Sequence, residues 1–205
     1  MKSFLVSFIA ISIAQIVLAQ SSTYTKVEWD AKPIIHTIDE KFRDEAAVFV
    51  MEKRRVEFSI DKDGFYMYKT NHRIVHVNND KGIESFNRVY LPFDEGLEMM
   101  DVKARTILPN GKIIELDKTN IKDYKDDDGR EYKIFALDGL EKGCEIEYYY
   151  IQKKYPDFFG KDIFSFKIPV MKADFELIAP QHLIFECKSY NKFPDGSDTL
   201  IGEKR

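Results

Sequence analysis

The sequence predicts an all-β fold: an antiparallel β-sandwich with one or two short helical turns, placed after a cleavable N-terminal signal helix. Three observations indicate this. Apolar and polar residues alternate with a period of two along much of the chain, which is typical of strands with one buried face. Turn-forming pairs such as Asn110-Gly111 separate the alternating segments. The first 19 residues instead form an apolar run behind one lysine. We therefore divide the 205 residues into a signal peptide, 1–19, and a single domain, 20–205.

The leader has the features of a secretory signal peptide. Lys2 is its only charge, an apolar run spans residues 4–18, and the small residue Ala19 precedes the expected cut before Gln20. A transmembrane anchor is the alternative, but the run is shorter than the roughly 20 apolar residues that a span needs. Since Gln20 stands where a lipoprotein requires cysteine, we expect a secreted or periplasmic protein that is free of the membrane after cleavage.

Alternation places the elements of the first half in order. Short helical turns are expected within residues 37–47 and 80–87. The segment Val56-Glu57-Phe58-Ser59-Ile60 alternates cleanly, and Asp63-Gly64 supplies a turn after it. A tight hairpin turn at Asn110-Gly111 lies between two apolar runs. The predicted strands of this half are 47–60, 65–77, 98–108 and 111–116.

The second half continues the same pattern. Ile146, Tyr148 and Tyr150 alternate with Glu145 and Glu147, as in an antiparallel strand with one wet face. The predicted strands of this half are 132–137, 144–154, 163–168, 170–179 and 182–190. No Ser/Gly-rich linker divides the chain, so one β-sandwich domain is the simpler interpretation.

Composition and motifs exclude several functions. The 31 basic and 35 acidic side chains nearly cancel, so no basic surface points to nucleic acid. The chain contains no glycine-rich phosphate loop, no Gly-x-Ser-x-Gly elbow and no His-Glu-x-x-His motif. The residues therefore indicate no catalytic, cofactor-binding or metal-binding site.

The two cysteines, Cys144 and Cys187, leave alternatives open. An oxidising compartment permits a disulfide between them, whereas two buried free thiols would act as small hydrophobic side chains. A nucleophilic thiol paired with His182 is a further alternative, but neither cysteine lies at a predicted helix N-terminus, where such thiols are activated.

Other chemically capable residues have structural interpretations. On a strand, His72 and His76 would share a face about 13 Å apart, too far for one metal ion. The acidic residues Asp123 and Asp126–Asp128 do not fit the ligand positions of a calcium loop, so a solvated loop is expected. Six aromatic residues suit either core packing or a carbohydrate or peptide surface: Phe65, Tyr66, Tyr68, Tyr148, Tyr149 and Tyr150.

Three segments together resemble a known family. They are Ala104–Lys112, Phe135–Tyr150 and Ile168–Pro180, and Tyr90-Leu91-Pro92-Phe93 fits with them. In this order they resemble the domain of unknown function that precedes transglutaminase-like domains in secreted bacterial proteins. The resemblance covers roughly residues 45–190. It implies a β-sandwich without activity of its own, usually followed by a Cys-His-Asp transglutaminase or peptidase-like domain. No catalytic residue carries over to this chain.

The functional expectation is a non-catalytic, exported accessory or interaction domain, associated with transglutaminase-like or peptidase-like proteins. Its partner would be an unknown protein or glycan, or a transglutaminase-like domain. A secreted carbohydrate- or peptide-binding module and a cysteine-dependent hydrolase are the alternatives. The expectation that the chain is not an enzyme would change if the chain were a fragment of a longer transglutaminase-like protein.

Overall fold

The structure is a computed structural model that describes residues 24–205. The predicted signal peptide, residues 1–19, lies outside the described residues. The predicted all-β class is confirmed: two sheets, mostly antiparallel, account for nearly all the regular structure. No helix within the described range is long and apolar enough to cross a membrane.

The strands form a six-stranded and a three-stranded sheet. In chain order they are β1 Ala47–Asp61, β2 Gly64–Val77, β3 Arg88–Pro92, β4 Glu98–Ile107, β5 Ile113–Glu115, β6 Lys122–Lys125, β7 Glu131–Ala136, β8 Glu145–Lys154 and β9 Ala173–Ile178. Helix α1 spans Asp80–Phe86, and single 3-10 turns lie at Glu40–Phe42 and Lys118–Asn120. The large sheet has the order β5-β4-β8-β2-β1-β9, and the small sheet has the order β3-β7-β6. All pairs are antiparallel except β1 with β9.

The two sheets enclose the main core. Inward side chains of the large sheet, such as Val75, Ile146 and Tyr148, pack against Leu91 and Phe135 of the small sheet. Because successive side chains of a strand point to opposite faces, the same strands present a second set of residues on the other side of the large sheet. We call that side the outer face.

An extended N-terminal segment covers part of the outer face. We call residues 24–36 the strap; they contain no helix or strand. Val27 and Trp29 of the strap pack with Tyr68, Tyr149 and Ile151 in a separate apolar cluster on this face. The sandwich therefore has a third, partial layer that the alternation pattern did not predict.

Two predicted strands, 163–168 and 182–190, are not formed. Phe164 lies over the Arg54 guanidinium at 4.4 Å, Phe166 packs on Phe49 with ring centroids 4.8 Å apart, and Phe185 packs on Phe58, also at 4.8 Å. These segments lie extended against the inner side of the large sheet and bury alternate side chains without a backbone ladder. Alternation thus identified extended chain correctly but could not show whether a partner strand exists.

Candidate binding surface

A buried ion pair joins three strands on the outer face. Glu147 of β8 accepts hydrogen bonds from Arg105 Nε at 2.8 Å and Nη2 at 2.5 Å. It also contacts His72 Nε2 at 2.8 Å. Arg105 is only 1% exposed, so its charge depends on this carboxylate. These three side chains link β2, β8 and β4, and the Nε2 atom of His72 is occupied by the contact with Glu147.

A second carboxylate, Glu145, ties the strap to the sheet. His36 donates its backbone N–H to Glu145 Oε1, and its ring Nδ1 lies 2.8 Å from Oε2. His76 Nδ1 lies 3.2 Å from Oε1. Burial by itself would raise the pKa of Glu145, but the hydrogen bonds from His76 and His36 outweigh it and hold this pKa below its ordinary value. Consequently His72 and His76 serve different carboxylates.

The predicted acidic loop is a hairpin turn in which Asp126 and Asp128 pair with the neighbouring Arg130. Asp126 accepts the backbone N–H of Arg130 at 2.8 Å and its Nε at 2.9 Å, and Arg130 also pairs with Asp128. Gly129 takes a φ of +82°, which favours glycine. Within residues 24–205 no group of three or more His, Cys, Asp or Glu side chains is arranged to hold a metal ion.

Both cysteines are free thiols in the structure, but their surroundings differ. Cys144 is buried directly before β8, and burial raises the pKa of its thiol. A raised pKa keeps the thiol protonated and weakly nucleophilic at neutral pH. Cys187 is exposed, so the interpretation as two buried thiols holds for Cys144 alone. His182 is exposed as well and pairs with neither cysteine in the part of the chain that the structure describes.

Three tyrosines form an exposed group on the side of the small sheet that faces away from the core. Tyr90 of β3 meets Tyr124 of β6 with ring centroids 5.9 Å apart and Tyr132 of β7 at 6.1 Å. Tyr124 and Tyr132 are 6.3 Å apart. Tyr90 is 48% exposed and Tyr124 is 42% exposed. We call these three residues the tyrosine cluster.

The β-strand pattern builds this cluster. In β3, Val89 and Leu91 enter the core, so Tyr90 between them points outwards. Tyr124 and Tyr132 are directly opposite each other in the β6–β7 ladder, on either side of the acidic hairpin turn. Tyr132 donates its hydroxyl to Asp126 Oδ2 at 3.4 Å, which places a carboxylate at the edge of the cluster.

The aromatic residues singled out from the sequence lie elsewhere. Tyr68, Tyr148, Tyr149 and Tyr150 are buried, and Phe65 and Tyr66 are half-buried. For these the core-packing alternative applies. Sequence reasoning missed the tyrosine cluster because β3 and β6 were not among its strands. Two sequence features could have indicated the cluster. Tyr90 alternates with apolar neighbours, and Tyr124 and Tyr132 lie on either side of the turn at Asp128-Gly129.

Comparison with known families gives one match. The family model for DUF3857, described as a domain of unknown function with a solved structure, matches residues 66–204. No curated protein matches the sequence.

A solved structure shares the fold at low sequence identity. A crystal structure from Parabacteroides distasonis, described as a putative protease, matches with a TM-score of 0.54 and 14% identity. The match covers 66% of this chain and 29% of the Parabacteroides chain, so this chain spans about a third of that protein's length. An M1 zinc metallopeptidase mutant from Deinococcus radiodurans, bound to a Tyr-Ser-Ala substrate, has a TM-score of only 0.33 and 8% identity over 72% of this chain and 37% of its own. That likeness is too weak to carry an argument.

Proposed function

Given that the chain belongs to the DUF3857 family of domains of unknown function, we propose that it is an exported, non-catalytic interaction domain that binds a glycan through the tyrosine cluster. The observation that carries this proposal is the exposure of Tyr90 and Tyr124 in contact with each other and with Tyr132. An aromatic residue left in water on the polar side of a sheet gains nothing from burial, whereas it adds large apolar area to an interface.

The chemistry around the cluster suits a sugar. Tyrosine ring faces pack against the apolar C–H faces of a sugar ring, and carboxylates accept hydrogen bonds from its hydroxyls. Asp126, which accepts the Tyr132 hydroxyl, is at the edge of the cluster. Arg130 pairs with Asp126, so the charge at the edge of the cluster is balanced, which favours a neutral ligand over a strongly charged one.

The groups most capable of chemistry support a non-catalytic role. His36, His72 and His76 are each held in pairs with Glu145 or Glu147. The thiol of Cys144 has a raised pKa and is buried. In their present positions the carboxylates orient these histidines and hold the strap and the strands together, so a structural role accounts for them without a reaction.

We further propose that the domain has an accessory role beside a catalytic domain. The Parabacteroides protein, described as a putative protease, contains a similar fold within a chain several times longer than the matched part. The resemblance to domains that precede transglutaminase-like proteins points in the same direction. Secretion follows from the leader, and intact mass of the exported protein should show Gln20 at its N-terminus.

Glycan binding is tested by array screening followed by calorimetric titration of the best glycan. The Tyr124→Ala and Tyr90→Ala variants should each weaken binding at least tenfold, because each removes an exposed ring from the contact. Tyr190→Ala is the matched control, since Tyr190 is 67% exposed but lies outside the cluster. Saturable binding that survives both cluster variants, or no binding to any glycan, would refute the assignment of this surface.

A further inference from the structure

The strap is held to the outer face mainly through its backbone. The N–H of Thr25 donates to Glu57 Oε2 at 2.7 Å, and the carbonyl of Thr25 accepts from Arg55 at 3.2 Å. The carbonyl of Asp30 accepts from Arg105 at 2.6 Å, and the N–H of His36 donates to Glu145 at 2.8 Å. Side chains of the sheet therefore form hydrogen bonds with backbone amides and carbonyls of the strap. Any extended peptide has these backbone groups and can form the same hydrogen bonds.

Two aromatic side chains anchor the strap in addition. The Trp29 ring lies 4.1 Å from the Arg105 guanidinium carbon and 5.4 Å from the Tyr149 ring centroid. Tyr24 meets Tyr68 at 5.0 Å. Between these anchors no backbone ladder joins the strap to a strand. The strap is thus attached by two aromatic side chains and a few separate hydrogen bonds. Bound peptides are attached in this way, whereas strands of a sheet are joined by a continuous ladder.

The strap does not fill the surface on which it lies. A cleft of about 460 Å³ remains beside Trp29 and Ala31, and its walls include Lys103, Lys118 and Glu115. A second cleft of about 230 Å³ lies beside Tyr24 and Val27. Lys103 contacts the Trp29 ring at 5.8 Å and forms no ion pair within residues 24–205. A side chain longer and more acidic than Ala31 would enter the first cleft and meet this lysine.

From these contacts we infer that the outer face of the large sheet is a receptor for an extended peptide, which the strap occupies in this chain. The occupant that fits best is a segment of another polypeptide with an aromatic residue in the position of Trp29 and an acidic residue two positions later. This inference concerns a different surface from the tyrosine cluster and goes beyond the proposed glycan binding.

A partner peptide must bind more tightly than the strap to displace it from the outer face. A tethered segment competes at an effective concentration in the millimolar range. A partner peptide that made only the contacts of the strap would displace it only at similar concentrations. The charge of the first cleft supplies the additional interaction, because Lys103 has no acidic partner among the described residues, whereas Lys118 already pairs with Asp101. The acidic residue is therefore part of the inference.

The test uses the full mature chain with a protease site inserted after the exposed residue Thr37. Native cleavage and gel filtration then separate the strap from the body. Trp29 is the only tryptophan of the protein, so the body is silent in tryptophan fluorescence. A synthetic peptide of residues 20–37, titrated with the body, should show saturable micromolar binding through its Trp29 emission.

Variants of the peptide test each part of the mechanism. Thr25→Pro removes the N–H that Glu57 accepts and should weaken binding about tenfold or more. Glu28→Pro is the matched control, since no hydrogen bond from the Glu28 amide to the sheet occurs within the described residues. The Ala31→Glu peptide should bind about threefold more tightly at low salt and lose this gain in 0.5 M NaCl.

Three outcomes would overturn the inference. The body could unfold when the strap leaves, which would make the strap part of the core. It could remain folded, by circular dichroism and cooperative melting, without binding the peptide. The uncut protein could also elute as a dimer that exchanges straps, which would identify a second copy as the occupant in place of a different polypeptide.

Discussion

Replacing Glu147 with glutamine should destabilise the fold far more than the small change in shape suggests. Glutamine keeps the volume of the side chain but removes the charge that faces the buried guanidinium of Arg105 and the ring of His72. Arg105 is 1% exposed, so water cannot take over the lost interaction. A buried charge that loses its partner retains its full desolvation cost.

The structure sets the size of the effect. Removing one partner of a buried ion pair costs about 3–5 kcal/mol. Arg105 would still donate to the Asp30 carbonyl at 2.6 Å and would lie 3.8 Å from Glu115, so we expect the lower end, about 3 kcal/mol. For a domain of this size that corresponds to a fall in Tm of roughly 6–12 °C. Urea unfolding followed by circular dichroism and Trp29 fluorescence measures it.

An exposed pair provides the control. Glu131, whose side chain is 54% exposed, lies 3.3 Å from Lys125, and Glu131→Gln should cost less than about 1 kcal/mol. The double variant Arg105→Met with Glu147→Leu should recover part of the stability, since it removes both charges of the pair, whereas His72 still loses its partner. If Glu147→Gln costs no more than Glu131→Gln, the charge of Arg105 does not depend on Glu147 and the reasoning fails.

Three further predictions follow from other residues. Because the pKa of Glu145 is held below its ordinary value of 4.5, this carboxylate stabilises the fold above that pH. The contribution is lost as the pH falls through the folded pKa, so Glu145→Gln should flatten the loss of stability below pH 4.5 in urea titrations. Gly82→Ala should destabilise by about 1–3 kcal/mol although alanine favours helices, because the added Cβ would lie 2.1 Å from a backbone oxygen, whereas Gly160→Ala, with open space around it, should be neutral in thermal melts. Iodoacetamide should label Cys187 in the native protein and Cys144 only after unfolding; mass spectrometry that finds neither labelled would indicate a disulfide.

The sequence predicted the large sheet well and the small sheet poorly. Strands β1, β2, β4 and β8 are long, and apolar residues recur at alternate positions along them, so periodicity marks them clearly although β8 is buried on both faces. Strand β6 has four exposed residues and no apolar alternation. Its place in the structure depends on pairing with β7 across the hairpin turn, and its own side chains show no strand period that would reveal this pairing.

The functional residues were harder to predict for the same reason. The alternation of Glu145 and Glu147 was read as the wet face of β8, yet both carboxylates are buried. A strand pattern shows which residues share a face but not what covers that face. Here the cover is the strap, whose residues pair with partners up to 109 positions away. Arg105, which is 1% exposed, gave no signal because its partners come from β8 and the strap.

The positions of the two proposed surfaces argue that they act independently. The small sheet packs against the inner side of the large sheet, and the tyrosine cluster lies on the far side of the small sheet. The strap lies on the outer face of the large sheet, so the two surfaces are at opposite sides of the sandwich. Packed sheets are about 10 Å apart, and no residue of the cluster contacts the apolar cluster under the strap among the described residues. Substitutions so far apart, without shared partners, have additive effects. Tyr124→Ala should therefore leave binding of the strap peptide unchanged, and a glycan and an extended peptide can occupy the protein at the same time. A domain with two opposite surfaces is suited to holding two partners together, which one binding surface cannot do.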